Sequence, residues 1–223
     1  MYSNIIAIPF RNRESHLKYF IDNTVPLIQE CLPNTRVVVI EQNEGKLFNR
    51  GALLNVAFKE YENKTKYFFT HDVDINPTKK CIEELYSRDV EILKIKTPHE
   101  QSLGCVVKFS HDIFIKSNGF PNNIWGWGIE DRALYYRCCM KNLTITKNNG
   151  NYSFKTMPHT SNAIQYIGEK KQISDIWTKP YIDRLNDKEK EELIMSSGLN
   201  NLEYTMIERK MLHDIVEVIK VEI

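Results

Sequence analysis

Two aspartates one residue apart, Asp72 and Asp74, end an aromatic-rich run in "KYFFTHDVDINP". On an extended backbone they project to the same side, with Val73 on the other. Carboxylates that close repel each other unless a cation or a hydrogen-bond donor sits between them. Asp, Asn and Pro are also ordinary turn chemistry, so a plain turn is the competing reading. A second acidic pair, Glu130 and Asp131, follows Trp125 and Trp127 in "GFPNNIWGWGIEDRA". Glycine weakens helix and strand interiors alike, which places the tryptophans on a glycine-hinged loop. Their flat faces suit the C–H face of a sugar. Glu130 and Asp131 fall at a predicted helix start, where N–H groups and the macrodipole favour carboxylates. They read either as helix-start acids beside a buried tryptophan pair, or as a sugar platform with an adjacent general base.

The elements that must position these residues alternate along the first half. "NIIAIPF", "TRVVVIEQ" and "KYFFTHD" read as strands. Between them lie a helical stretch interrupted at Pro26 and a helix capped by Asn49 with Leu53, Val56, Ala57 and Tyr61 on its apolar repeat. That order predicts a parallel sheet with crossover helices, whose ligands bind beyond the carboxyl ends of the strands. "IPFRNR", "EQNEGKLFNR" and "THDVD" all lie at such ends, so three polar clusters converge on one edge. In the second half "GCVVKFS" and "YSFKTMPH" read as strands, "HDIFIKSNGF" and "EDRALYYRCCM" as helices. "TSNAIQYIGEKKQISDIWTKP" lacks periodicity and is expected to be a mobile loop. "DKEKEELIMSS" reads as a helix, and "NLEYTMIERKML" and "IVEVIKVEI" as closing strands. One domain over residues 1–223 is the expectation.

Composition excludes several classes. With 223 residues, 42% hydrophobic and 26% charged, the chain fits a soluble globular protein with an ordinary core. A formal charge of +1 argues against nucleic-acid binding by bulk electrostatics. No apolar run reaches the roughly 20 residues of a membrane span, and the start has no secretory pattern. The five cysteines have no CxxC spacing, which disfavours zinc, and vicinal Cys138 and Cys139 read as helix-packing residues. A cytoplasmic location is expected, with a chain separated from a membrane anchor left open.

"IPFRNRESHL", "FNRGALLNVAF", "HDVDINP", "NGFPNNIWGWGIED" and "SSGLNNLEY" occur in the order and approximate spacing of the β-1,4-galactosyltransferases. The chain resembles that family from about residue 5 to its end. The resemblance implies an α/β fold of the GT-A nucleotide-sugar type, a mixed sheet with helices on both faces. It also implies an inverting enzyme that uses a UDP-sugar and Mn²⁺, or Mg²⁺, and a glycan acceptor. Pro9, Phe10, Arg11, Arg13, Phe48 and Arg50 would face the nucleotide, arginine because its planar fork matches phosphate oxygens. Asp72, with Val73, would contact the ribose or the outer shell of the metal, and Asp74 would ligate it directly. His159 would complete the metal site. Met157, two residues earlier and so on the same face of a strand, joins it although a thioether is soft for Mn²⁺. Asp131 would be the catalytic base, Glu130 would hold sugar hydroxyls, and Trp127 with Gly128 would close over the donor.

Departures from the family pattern bear on specificity. Where relatives often read GGEDD this chain has "GIEDR", so Ile129 replaces a glycine and Arg132 an acid that contacts the acceptor. "YIDRL" resembles the hydrophobic acceptor pocket, with Tyr181, Ile182 and Leu185 as walls. In "QSLGC", Ser102 stands where the galactose enzymes carry a tyrosine, two residues before Gly104. The smaller side chain opens room near the sugar's 2-position, which admits UDP-GalNAc beside UDP-Gal. Tyr67 replaces a cysteine of secreted relatives, which removes a disulfide partner. Transferases of GlcNAc or Glc are alternatives, as is a non-catalytic sugar- or nucleotide-binding module, suggested by Arg132 and Ile129. Retention of Asp72, Asp74, Asp131 and His159 together speaks against the module.

Overall fold

In a computed structural model of the chain, describing residues 1–126, 128–158 and 169–223, the sheet grows from its β-branched runs. The first half comprises β1 (Tyr2–Phe10), α1 (Glu14–Asn23), α2 (Val25–Cys31), β2 (Thr35–Gln42), α3 (Arg50–Glu60) and β3 (Thr65–His71). Next come β4 (Ile75–Pro77), α4 (Lys79–Cys81) running into a π-helical turn (Ile82–Tyr86), β5 (Ile92–Lys96), β6 (Val106–Ser110) and α5 (His111–Lys116). The rest comprises α6 (Glu130–Met140), β7 (Ile145–Lys147), β8 (Phe154–Thr156), α7 (Glu169–Ile176), α8 (Lys179–Ile182), α9 (Asp187–Met195), β9 (Thr205–His213) and β10 (Val216–Glu222).

Ile5 to Ile8 and Val37 to Ile40 are fully buried, as central parallel strands must be. Strand order is β7-β5-β6-β3-β1-β2-β10-β9, and a separate pair joins β4 to β8. β1 runs parallel to β2 and β3, and β10 parallel to β2. β6 pairs antiparallel with β3 and β5, and β9 antiparallel with β10, so the sheet is mixed. Alternation along the strands builds a core on each face. Ile5, Ala7, Val38, Ile40 and Phe68 pack with Leu53, Val56 and Phe58 of α3 and Phe114 of α5. Ile6, Ile8, Val37, Val39 and Phe69 pack with Leu17 and Phe20 of α1, Val25 and Ile28 of α2, and Tyr86. The helices therefore cover both faces.

Local chemistry explains the boundaries. The Asn49 side chain accepts the Ala52 N–H at 3.0 Å and starts α3, as its sequence position predicts. α1 stops at Thr24 because Pro26 must sit in the first turn of α2. Gly119, at φ +60, ends the turn after α5. The short strands β4, β5 and β7 and the π-helical turn have no counterpart in the sequence reading. Of the segment expected to be a loop, residues 160–168 lie outside the described residues, and the rest holds α7 and the start of α8. Ile173, Ile176, Trp177 and Ile182 pack there against Ile129, Ala133 and Tyr136 of the α6 region, and that tertiary contact compensates for weak local periodicity. Of the vicinal cysteines, Cys138 is buried and Cys139 exposed, so one of the two packs in the core. Every residue of the edge strand β9 is exposed, and its register with β10 shifts at Leu212 and Ile207. No helix among the described residues is long and apolar enough to cross a membrane.

Candidate active site

Because β1, β2 and β3 are parallel, Phe10, Gln42 and His71 end on one edge and the loops after them meet there. Buried Gln42 organises the second loop: its amide donates to the Leu47 carbonyl at 2.8 Å and its carbonyl accepts the Asn49 N–H at 2.8 Å. That loop presents Phe48, whose carbonyl accepts the Gly126 N–H at 2.8 Å and holds the tryptophan loop beside it. Arg11 reaches over from the first loop, donating to the Lys46 carbonyl at 2.7 Å with its guanidinium 5.3 Å from the Phe48 ring centre. Pro9 and Phe10 are buried in β1, whereas Arg13 is half-buried at the start of α1, its carbonyl accepting the Leu17 N–H. Lys46 stands 5.6 Å from the half-buried Trp125 ring. Trp127 lies outside the described residues.

The Asp72–Asp74 stretch is a turn rather than an extended strand. The Asp72 carbonyl accepts the Ile75 N–H at 3.2 Å, and its own N–H donates to the Cys105 carbonyl at 3.0 Å. Burial still alternates: Asp72 and Asp74 are half-buried and Val73 is 7% exposed. The positive group demanded by the acids is Arg50, at the first position of α3. Its Nε donates to Asp72 Oδ1 at 2.8 Å and its Nη1 to Asp131 Oδ1 at 2.6 Å, with Glu130 Oε1 at 4.0 Å. The Arg50 guanidinium joins the DxD turn to the acids of α6, because all three carboxylates converge on the α3 start.

Burial sorts the two acids of α6. Glu130, with a side chain 6% exposed, is pushed up by burial and by the Asp131 charge, against the pull of Arg50. Asp131 is also raised by burial, which outweighs the opposing pull of Arg50 in direct contact with it. With a side chain 24% exposed and an Arg50 hydrogen bond, Asp131 is the better stabilised of the two as a carboxylate. Glu130 Oε2 is buried without a hydrogen-bond partner among the described residues. The Cys105 thiol is pushed up to about 12 by burial and by Asp72, which removes it as a nucleophile.

The "QSLGC" segment packs on the same acids. A Cβ on Gly104 would lie 2.0 Å from Asp131 Oδ2, and the Leu103 N–H donates to the Asp131 carbonyl at 3.1 Å. Ser102 is fully buried and its hydroxyl accepts the Gly104 N–H at 3.1 Å. Gly126 and Gly128 take φ of +77 and +88, and Ile129 follows at +82. For a β-branched residue that conformation is an outlier, held here by the packing of Ile129 against Trp177 and Ile182. Arg132 turns away from the acids to Ser174, donating to its carbonyl at 2.9 Å and hydroxyl at 2.6 Å. Of the expected acceptor walls, Tyr181 is 40% exposed, Ile182 is buried at 6%, and Leu185 packs partly buried in the same cluster. Sequence reasoning missed Lys170, whose ammonium donates to the Trp125 carbonyl at 3.2 Å; burial lowers it and Glu130 pulls it back up. Its position in an aperiodic lysine-rich stretch gave no signal.

The residues fit a divalent cation. Asp72, Glu130 and Asp131 gather around Arg50, and Asp74 shares the turn with Asp72, a set of hard oxygen donors. The antiparallel β4–β8 pair carries Met157 there, its N–H donating to the Asp74 carbonyl at 2.9 Å. β8 ends at Thr156, so Met157 lies past the strand that was expected to carry it, and His159 lies outside the described residues. Among the described residues no group of three or more His, Cys, Asp or Glu side chains converges as a closed metal site. An open site of one or two carboxylates completed by substrate phosphates is the usual arrangement for Mg²⁺.

This architecture, a mixed sheet with its acids at the parallel-strand edge, is the GT-A glycosyltransferase fold. It superposes on the catalytic domain of Drosophila β-1,4-galactosyltransferase 7 in complex with xylobiose, TM-score 0.81 at 21% identity, covering 100% of this chain and 94% of that one. A variant of that protein, in complex with manganese, UDP-Gal and xylobiose, gives 0.80 at 21% identity over the same shares. Residues 1–87 match the N-terminal region of glycosyl transferase group 7, and residues 85–160 the N-terminal domain of galactosyltransferase. The chain is 34% identical to bovine (Bos taurus) β-1,4-galactosyltransferase 1 over 212 residues, 91% of its length and 50% of the relative. It is 32% identical to human β-1,4-galactosyltransferase 6 over 193 residues, 82% of its length and 50% of that relative. The chain belongs to the β-1,4-galactosyltransferase family. It spans about half the length of these curated relatives.

Proposed function

We propose that the chain is an inverting, metal-dependent transferase that moves galactose, or N-acetylgalactosamine, from a UDP-sugar to a hydroxyl of a glycan acceptor. The observation that carries this is the placement of Asp131 by Arg50 at 2.6 Å, beside the DxD turn. Arg11 and Phe48, with Pro9, Phe10 and Arg13, hold the nucleotide at the ends of β1 and β2. Asp74 would bind Mn²⁺ or Mg²⁺, with Asp72 behind it and Met157 and His159 as further ligands. Bound metal supplies Lewis-acid neutralisation of the departing diphosphate. Asp131 takes the acceptor proton on its carboxylate as the acceptor oxygen attacks the anomeric carbon opposite UDP, so an α-linked donor gives a β-linked product. Glu130, carrying its proton, hydrogen-bonds a sugar hydroxyl through its otherwise unpartnered oxygen. Gly128 and Trp127 would close the donor side, and Tyr181, Ile182 and Leu185 would wall the acceptor. Ser102, a smaller side chain than the tyrosine expected at this position, is the sequence feature that favours N-acetylgalactosamine as the second donor.

Asp131→Asn tests the assignment. It should lower transfer by about 10²–10⁴-fold, the range of a lost general base, while UDP binding by calorimetry persists. Transfer that survives the substitution would overturn the role of Asp131. A cytoplasmic location belongs to the same proposal, supported by five cysteines that are all free thiols; recovery of the native protein in an endomembrane fraction would refute it.

A further inference from the structure

A second cleft, of about 490 Å³, opens beside the "QSLGC" segment between β5, β7 and the chain leading into β8. Its charge is one-sided: Lys94, Lys96 and Lys147 line it against one acid, Glu100, in a chain whose net charge is +1. Its wall is aromatic, from Tyr152 and Phe154, and the Lys96 ammonium stands 5.7 Å from the Phe154 ring centre. Lys94 is buried and donates to the His99 carbonyl at 3.3 Å and to the Glu100 carbonyl, which fixes the shape of the loop. Lys147 pairs with the exposed Glu100 carboxylate, an exchangeable partner. Rings beside ammonium groups suit a sugar that carries negative charge: the ring face takes the C–H surface, and the ammonium takes the anion.

The cleft also has the right address. The loop at its rim runs from His99 to Gly104, at most about 18 Å of chain, and Gly104 abuts the Asp131 carboxylate. Gln101 within that loop accepts a hydrogen bond from Tyr136 of α6 at 3.1 Å, and His99 lies within the electrostatic reach of Asp131. That bound on the separation is within the span of an oligosaccharide whose reacting hydroxyl sits at Asp131. We propose that this cleft binds an anionic substituent, a carboxylate, sulfate or phosphate, on an acceptor sugar unit beyond the one that is glycosylated. The proposal rests on the transferase reading for its acceptor, but the cleft is testable by binding alone.

The experiment is calorimetric titration of the full chain with one oligosaccharide in four forms: neutral, uronate-bearing, sulfated and phosphorylated. The anionic forms should bind about tenfold more tightly than the neutral one at low salt, with the gap closing as NaCl rises. Their ranking identifies which anion the cleft prefers. The double variant Lys96→Gln/Lys147→Gln should bring all four forms to one affinity, with its melting temperature confirming that it is folded. Equal affinities in the native protein, a salt-independent difference, or discrimination that persists in the double variant would overturn the proposal. Turnover assays on the same acceptors separate the two readings. Charge discrimination without transfer to any acceptor leaves the cleft standing and removes the transferase; transfer without discrimination does the reverse.

Discussion

At the scale of single residues, the site is a contest over one guanidinium. Arg50 is shared by Asp72 and Asp131, so the DxD turn and the proposed base are positioned by one side chain. Gly104 sets the other wall. Gly104→Ala would drive a methyl group into Asp131 Oδ2, where a Cβ stands 2.0 Å away. A displacement of the base on the order of 1 Å is worth about 100-fold in rate, so kcat should fall by at least that much while UDP binding, measured by calorimetry, changes little. The acids were legible in the sequence because their types and spacing are unusual. The Arg50 bridge was not, since 22 and 81 residues separate it from its partners and no local pattern reports such a contact. Ile129 shows the same limit: the sequence marks it as a departure from glycine, but its left-handed backbone is visible only in three dimensions.

At the scale of elements, β1, β2, β3 and α3 were readable because each carries a continuous apolar run or a cap, and α6 because two acids open it. β4, β5, β7 and the π-helical turn were not, being short or dependent on partners. Lys108 of β6 illustrates such dependence. It is 1% exposed, donates to the Tyr86 carbonyl at 2.8 Å and to the Arg88 carbonyl, and stands 3.7 Å from the Tyr67 ring centre. It thereby ties the sheet to the turn at Ile82–Tyr86. Lys108→Met leaves two carbonyls without their donor and should destabilise the protein by about 1–3 kcal/mol in urea unfolding at pH 7. Burial lowers the Lys108 ammonium from 10.5 to about 8. A lysine depressed in the folded state binds its proton later than in the unfolded chain. Its contribution to stability is therefore present above pH 10.5 and is lost as pH falls through the interval down to about 8. The native protein should gain stability from this group as pH rises from 8 to 10.5, and the methionine variant should lack that gain.

At the scale of the whole molecule, we propose that residues 1–223 unfold as one domain, since both cores share the central strands β1 and β2. Calorimetry should show a single transition with equal calorimetric and van't Hoff enthalpies. UDP with Mn²⁺, at about 100 times the dissociation constant, should add about 2.7 kcal/mol to stability, and a chelator should remove the metal-dependent part. Two resolved transitions would divide the chain. The last strand of the sheet carries a different consequence. β9 offers a free row of peptide groups beside exposed Met206, Ile207, Met211 and Leu212, a template on which a neighbouring molecule could lay down another strand. Glu208 and Lys210, hydrogen-bonded to each other at 2.9 and 3.0 Å between the two register shifts, bar that growth with charge and irregularity. Replacing both with threonine should turn a self-limited sheet into a propagating one, seen as light scattering that climbs with protein concentration.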